Sequence, residues 1–128
     1  MFHYISIRLY NLEALDFIDD VILKTKSSFA FFDPPYYSKG PGLYTNFYSS
    51  GDHANLANVI LTQLKNRKWI VTYDNVNAIK AMYAKVPSIE FLLQYTLQEK
   101  RSGSEVMFFS KKIQRPSHEG ELIQLLHK

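Results

Sequence analysis

The chain has 128 residues, 46% hydrophobic and 21% charged, enough for one buried core and too few for two. It carries no cysteine, which excludes disulfides, thiolate metal sites and a cysteine nucleophile, and its four histidines (His3, His53, His118, His127) are scattered, so no protein-bound metal is expected. Fifteen Lys and Arg against twelve Asp and Glu give a net charge of +3, a weak bias toward a polyanionic partner; with no long apolar run and no basic leader, a cytoplasmic location and no membrane partner are expected.

The first periodic segment is His3–Tyr10, where Ile5, Ile7 and Leu9 alternate as in a strand. Asn11 then offers a helix N-cap. Leu12, Leu15, Phe17, Ile18, Ile22 and Leu23 share one apolar face of a helix running to Lys26, and Glu13, Asp16 and Asp19 suit its positive end. Ser28–Phe32 is short, apolar and aromatic, and reads as a strand buried on both faces. Asp33-Pro34-Pro35-Tyr36 follows, then a long loop, Tyr37–Gly51, punctuated by Gly, Pro and Ser. Helical spacing returns over Asp52–Arg67. Lys68–Asp74 reads as a second buried strand, and Asn75–Lys85 as a shorter helix carrying Ile79, Met82 and Tyr83. Ile89–Gln98 and Glu105–Ser110 read as strands joined by a turn at Lys100–Ser104, hence an antiparallel hairpin. Glu119–His127 has a helical pattern. The order β-α-β-α-β-α-β-β predicts an α/β fold with a mostly parallel sheet closed by an antiparallel hairpin. Residues 1–112 make one domain, and 113–128 a tail.

Ligands of open α/β sheets sit beyond the carboxyl ends of strands, and both Asp33–Tyr36 and Asp74-Asn75 fall at such ends. Pro34 and Pro35 fix two φ angles, remove two amide donors and push Asp33 out of helical geometry. A carboxylate, a rigid carbonyl and an aromatic ring are thus held in one short turn. That set suits a planar base bearing an amino group. The Asp33 carboxylate and the Pro34 carbonyl accept its two N–H bonds, and the Tyr36 ring stacks on it. These bonds strengthen as positive charge develops on nitrogen, so they favour attack by an otherwise delocalised lone pair.

With its surroundings, the tetrapeptide resembles the Dam-like adenine-specific DNA methyltransferases. The similarity covers nearly all of Ile5–Lys111 and includes FFDPPYYSKGPGLYTNFY, DHANLANVI, KWIVTYDN and SEVMFFSK in that order. The resemblance implies a Rossmann-like class I methyltransferase fold, S-adenosylmethionine as cofactor, DNA as partner, and methyl transfer to the 6-amino group of a flipped adenine. By the same resemblance, Asp33, Pro34 and Tyr36 are catalytic. Glu13 and Asp33 contact the cofactor, with Asn11 competing for the place of Glu13. Tyr37, Lys39, Tyr44 and Asn46 belong to the loop that closes on the base and strand. The family's glycine-rich cofactor loop and its target-reading segment have no counterpart here: no G-x-G follows a strand, and Gly40-Pro41-Gly42 is in the wrong place. The expectation is a partial fold, the carboxyl-terminal catalytic portion, with little activity alone and an upstream-encoded other half as a candidate partner.

Two other functions fit parts of the pattern. One is an amino-methyltransferase for RNA or protein, although those enzymes more often have Asn in place of Asp33. The other is a non-catalytic relic or interaction module that keeps the fold. Several residues have plainer readings: His53 as a cap or surface residue, Trp69 as packing, Asp74-Asn75 as a helix-cap pair with the cleft as alternative, and Lys65, Arg67 and Lys68 as a basic run suiting a helix end. If strands of the full family sheet are missing, one edge of Ser28–Phe32 is left open. Either His3–Tyr10 pairs with it in parallel, with Asn11–Lys26 as the crossover, or two chains pair edge to edge as a homodimer; closure within one chain costs less entropy and is the favoured route.

Overall fold

The computed structural model describes residues 4–38, 48–94 and 102–114. A helical turn, α1 (Ala14–Phe17), runs into a π-helical segment, Ile18–Ile22. Then come β1 (Phe29–Phe32), α2 (Ser50–Gln63), β2 (Lys68–Asp74), α3 (Asn77–Met82), β3 (Ser88–Gln94) and β4 (Ser102–Phe109). The class is α/β, with a mixed four-stranded sheet in the order β1-β2-β4-β3. β1 and β2 are parallel, with α2 between them in sequence, and β4 is antiparallel to both β2 and β3.

The expected hairpin pairing is present, running from Ser88 opposite Phe108 to Gln94 opposite Ser102. The expected turn at Lys100–Ser104 is corrected in part, because Ser102–Ser104 belong to β4; 100–101 lie outside the described residues. The expected mostly parallel sheet is corrected, because two of the three ladders are antiparallel. The cause is where β4 goes: it returns from β3 and inserts between β3 and β2. β3 therefore points the same way as β1 and β2, and β4 opposes all three.

The expected strand at His3–Tyr10 is also corrected. Tyr4–Tyr10 has no regular structure, and Ile5 and Leu9 are 90% and 95% exposed. Alternation supplies an apolar face, but a strand also needs a ladder partner, and this segment has none among the described residues. Among the described residues, β1 pairs with β2 and with no other strand, so the intrachain covering of its outer edge does not occur.

The first helix begins on Glu13 and not on Asn11. The Glu13 carboxylate accepts the Leu15 amide at 2.8 Å, satisfying one of the donors a helix start leaves open. Its other end is met by Arg67, whose guanidinium donates to the carbonyls of Leu23 at 3.3 Å and Thr25 at 2.7 Å. α2 opens with a capping box, the Ser49 hydroxyl accepting from the Asp52 amide while Asp52 accepts from the Ser49 amide. Along α2 and just past it, His53, Leu56, Ala57, Ile60 and Leu64 are buried at helical spacing.

The burial of β2 alternates. Trp69, Val71 and Tyr73 face the helices, beside Val106 and Phe108 of β4 and over Ile18, Ile60, Ile79 and Tyr83. The opposite face carries a smaller cluster of Ile89, Phe91, Met107 and Phe109, with Ile70 beside it. Register places Phe31 next to Ile70 on this second face. Here Phe29 and Phe31 are 56% and 59% exposed, which corrects the expected burial of β1 on both faces. No helix among the described residues is long and apolar enough to cross a membrane. The pattern at 119–127 lies outside the described residues.

Candidate functional site

Asp33-Pro34-Pro35-Tyr36 leaves the carboxyl end of β1, and its course is set by two carboxylates on the neighbouring strands. Asp74 ends β2 and Glu105 lies opposite it on β4. Both are buried, at 7% and 4% exposure. Asp74 accepts from the Tyr37 amide at 2.8 Å, the Ser38 amide at 3.0 Å and the Ser38 hydroxyl at 2.7 Å. Glu105 accepts from the Tyr36 hydroxyl at 2.5 Å. Burial by itself would raise the Asp74 pKa, but the donors of Ser38 and Tyr37 outweigh it and hold the carboxyl below its ordinary value. Asp74 is therefore ionised near neutral pH and anchors the turn as an anion.

That arrangement separates the motif into two parts. The side chain of Tyr36 is directed to Glu105, with Tyr37 and Ser38 over Asp74. Asp33 stays exposed, and among the described residues its carboxylate receives one side-chain donor, the Thr72 hydroxyl at 3.3 Å. Asp33, Pro34 and Pro35 line a cleft of about 1270 Å3 whose other walls include Glu13, Leu12, Phe17, Phe31, Tyr48 and Asp52. The cleft thus brings Glu13 and Asp33 together, as a cofactor site built on both would require. Carboxylates set among apolar and aromatic walls suit a cationic ligand with an apolar body. Asn11 does not line it. Lys39, Tyr44 and Asn46 lie outside the described residues.

Behind the turn stands His53, 1% exposed. Its Nδ1 is 2.9 Å from the Tyr73 hydroxyl, and the rings of Tyr37, Tyr48 and Tyr73 surround it at centroid distances of 5.4, 4.8 and 5.4 Å. Its burial corrects the reading of a cap or surface residue: Ser49 caps the helix, and His53 faces inward one turn later. Burial pushes the His53 pKa down, against the pull of Asp74 and Asp52, so the ring is neutral near pH 7. Tyr48 is pushed up to about 12, first by burial and then by Glu13 and Asp52, which keeps its hydroxyl protonated at the cleft wall.

Sequence reasoning misreads one residue here and misses another. Asp74 reads first as a helix cap. Instead α3 starts at Val76 with no side-chain cap, while Asp74 holds the turn after the motif. Glu105 reads as no more than the start of a strand. The available signal is a carboxylate inside the otherwise apolar run EVMFF, since a charge in a central strand needs a partner. Trp69 is packing, as expected, with its ring nitrogen donating to the Leu64 carbonyl at 3.1 Å. No group of His, Cys, Asp and Glu among the described residues could hold a metal ion.

No protein-family model matches the chain, and no curated protein matches it.

Proposed function

We propose that the chain carries the catalytic turn of an S-adenosylmethionine-dependent methyltransferase acting on the 6-amino group of adenine in DNA. The observation that carries this reading is the division of the motif: the turn is pinned from behind by Asp74 and Glu105, while Asp33 is left at the rim of a cleft shared with Glu13. A carboxylate that accepts from an amino group must be positioned and keep accepting capacity, and Asp33 is exposed at the cleft with a single weak donor, the Thr72 hydroxyl, among the described residues. The Pro34 carbonyl beside it is the second acceptor for a flipped base, while the Tyr36 ring is held on Glu105 through its hydroxyl and does not line the cleft. The parallel β1-α2-β2 unit with β4 threaded back between β2 and β3 supports a partial Rossmann-like methyltransferase fold as its frame.

Glu13, Asp33 and the apolar wall of Leu12, Phe17 and Phe31 would hold S-adenosylmethionine, which supplies an electrophilic methyl group on a sulfonium centre. Asp33 and Pro34 favour the pyramidal, nucleophilic form of the amino nitrogen. The test is the level of N6-methyladenine in DNA of the natural host carrying the wild-type or the Asp33→Ala allele. Loss of the mark with Asp33→Ala is expected, by analogy with other groups that act mainly in the transition state. An unchanged mark sinks the assignment.

A second reading, an interaction module, is favoured by one observation: Tyr4, Ile5, Ile7 and Leu9 are exposed together with Phe29 and Phe31 of an edge strand. A homodimer through that edge belongs to this reading, and sedimentation velocity over a concentration series tests it.

A further inference from the structure

At the opposite pole of the sheet from the Asp33 turn there is a second cavity, of about 510 Å3. It lies where β2 begins and where α2, α3 and β4 have ended. Lys65 and Asn66 reach it from the end of α2, Lys85 from beyond α3, and Lys111 and Lys112 from beyond β4, with Trp69 in its wall. Among the described residues no carboxylate lines it and none of the four lysines is in a salt bridge; the recorded pair is Lys80 with Glu90.

Helix ends explain part of this cluster. Lys65 and Lys85 follow helices, whose carbonyl ends attract cations. Lys111 and Lys112 follow a strand, and that account does not reach them. Arg67 shows what commitment to a helix end looks like, with its guanidinium on the carbonyls of Leu23 and Thr25. The lysines have no such partner among the described residues. Ammonium groups that converge on one cavity repel each other and raise its potential, and an anion relieves that repulsion. The Asn66 side chain adds neutral hydrogen-bonding capacity, and Trp69 an apolar wall.

We propose that this cavity binds phosphate groups, carried by a nucleic-acid strand or by a free nucleotide. It is separated from the Asp33 turn by the length of β2, about 20 Å for a seven-residue strand, so it is a second site and not an extension of the first. The inference does not rest on methyl transfer.

The test is binding by the full chain, without any methyl donor, of fluorescein-labelled duplex DNA, of ATP and of inorganic phosphate. Wild type is compared with Lys111→Glu/Lys112→Glu and Lys65→Glu/Lys85→Glu. A control pair, Lys24→Glu/Lys26→Glu, makes the same charge change at exposed positions that do not line the cavity. All six lysines are exposed, and circular dichroism verifies that each variant folds. Each cavity pair should weaken binding at least about tenfold and flatten the salt dependence of DNA affinity by about 0.9 for each phosphate that is no longer neutralised, while the control does neither. DNA binding that inorganic phosphate fails to compete identifies the strand as the source. ATP binding with the same lysine dependence, without DNA binding, identifies the nucleotide. If cavity and control pairs weaken binding alike, or no probe binds, the proposal is overturned.

Discussion

β1 and β4 are both phenylalanine-rich, FAFF in one and VMFF in the other, yet the structure treats them oppositely. Phe108 and Phe109 of β4 are 2% and 3% exposed, whereas Phe29 and Phe31 of β1 are 56% and 59% exposed. β4 has a strand on either side, and both its faces are covered: Phe108 stacks on Tyr83 at 4.6 Å beneath the helices, and Phe109 packs with Ile89, Phe91 and Met107 on the other face. Among the described residues β1 has one neighbour, and the face carrying Phe29 and Phe31 is open, while Phe32 packs against the main core from the other face. Composition reports that a strand can be buried. Its place in the sheet decides whether it is.

The sharpest way to break this comparison is to truncate matching rings. Phe108→Ala leaves a void in the main core and should destabilise the fold by about 3–5 kcal/mol. Phe31→Ala removes a ring that is largely in solvent and should stay within about 0.5 kcal/mol. Urea unfolding of both variants measures the difference, and equal losses would mean that β1 is covered in solution as β4 is.

A smaller effect is expected where the two regions are joined. Arg67, at the start of β2, ties the helix that precedes β1 to the sheet through the carbonyls of Leu23 and Thr25. Arg67→Met keeps the apolar stem and deletes these charged donors, at a cost of about 1–3 kcal/mol in the same assay. A neutral result would show that the helix is held by Ile18 and Ile22 alone. In the sequence, Arg67 belongs to a basic run at the end of its own helix. Its true partner is the end of a different helix, a long-range contact that periodicity does not encode.

The same limit explains which parts of the fold are legible in the sequence. Lys68–Asp74 is legible to the residue, because a run of seven with alternating burial is bounded by charge at both ends. The turn after β1 is legible because prolines fix local geometry. Tyr4–Tyr10 misleads because alternation is necessary for a half-buried strand but says nothing of a partner. Glu105 escapes notice and His53 is misread because their roles depend on residues 69 and 20 positions away. His53 gives the next prediction. Its pKa is lowered by burial, so the unfolded chain binds the proton more tightly, and stability is full above the ordinary value of 6.5 and falls as pH drops below it. Asp74, also lowered, adds a loss only as pH falls below the ordinary carboxylate value of 3.8. His53→Gln should therefore flatten the decline in melting temperature just below pH 6.5 while leaving the acid limb in place. An identical decline in the variant would assign it to another group.

The smallest expected change in stability comes from charging the open strand. Phe31→Lys places an ammonium group on the exposed face of β1, beside Ile70 in register. The lysine stem can lie along the apolar surface while its charge stays in water, so monomer stability should move by no more than about 0.5 kcal/mol. Association should respond more strongly. An edge strand whose outer side has no ladder partner among the described residues, and which carries two exposed phenylalanines, is a template for another strand, and lysine is a side chain that blocks such pairing. In sedimentation velocity over a concentration series, any concentration-dependent increase shown by the wild type should shrink in Phe31→Lys, with the unfolding midpoint nearly unchanged. Association that persists undiminished would place the contact elsewhere, with the exposed Tyr4–Leu9 segment the next surface to change. A loss of several kcal/mol would contradict the contrast itself, because it would require Phe31 to be as deeply packed in solution as Phe108.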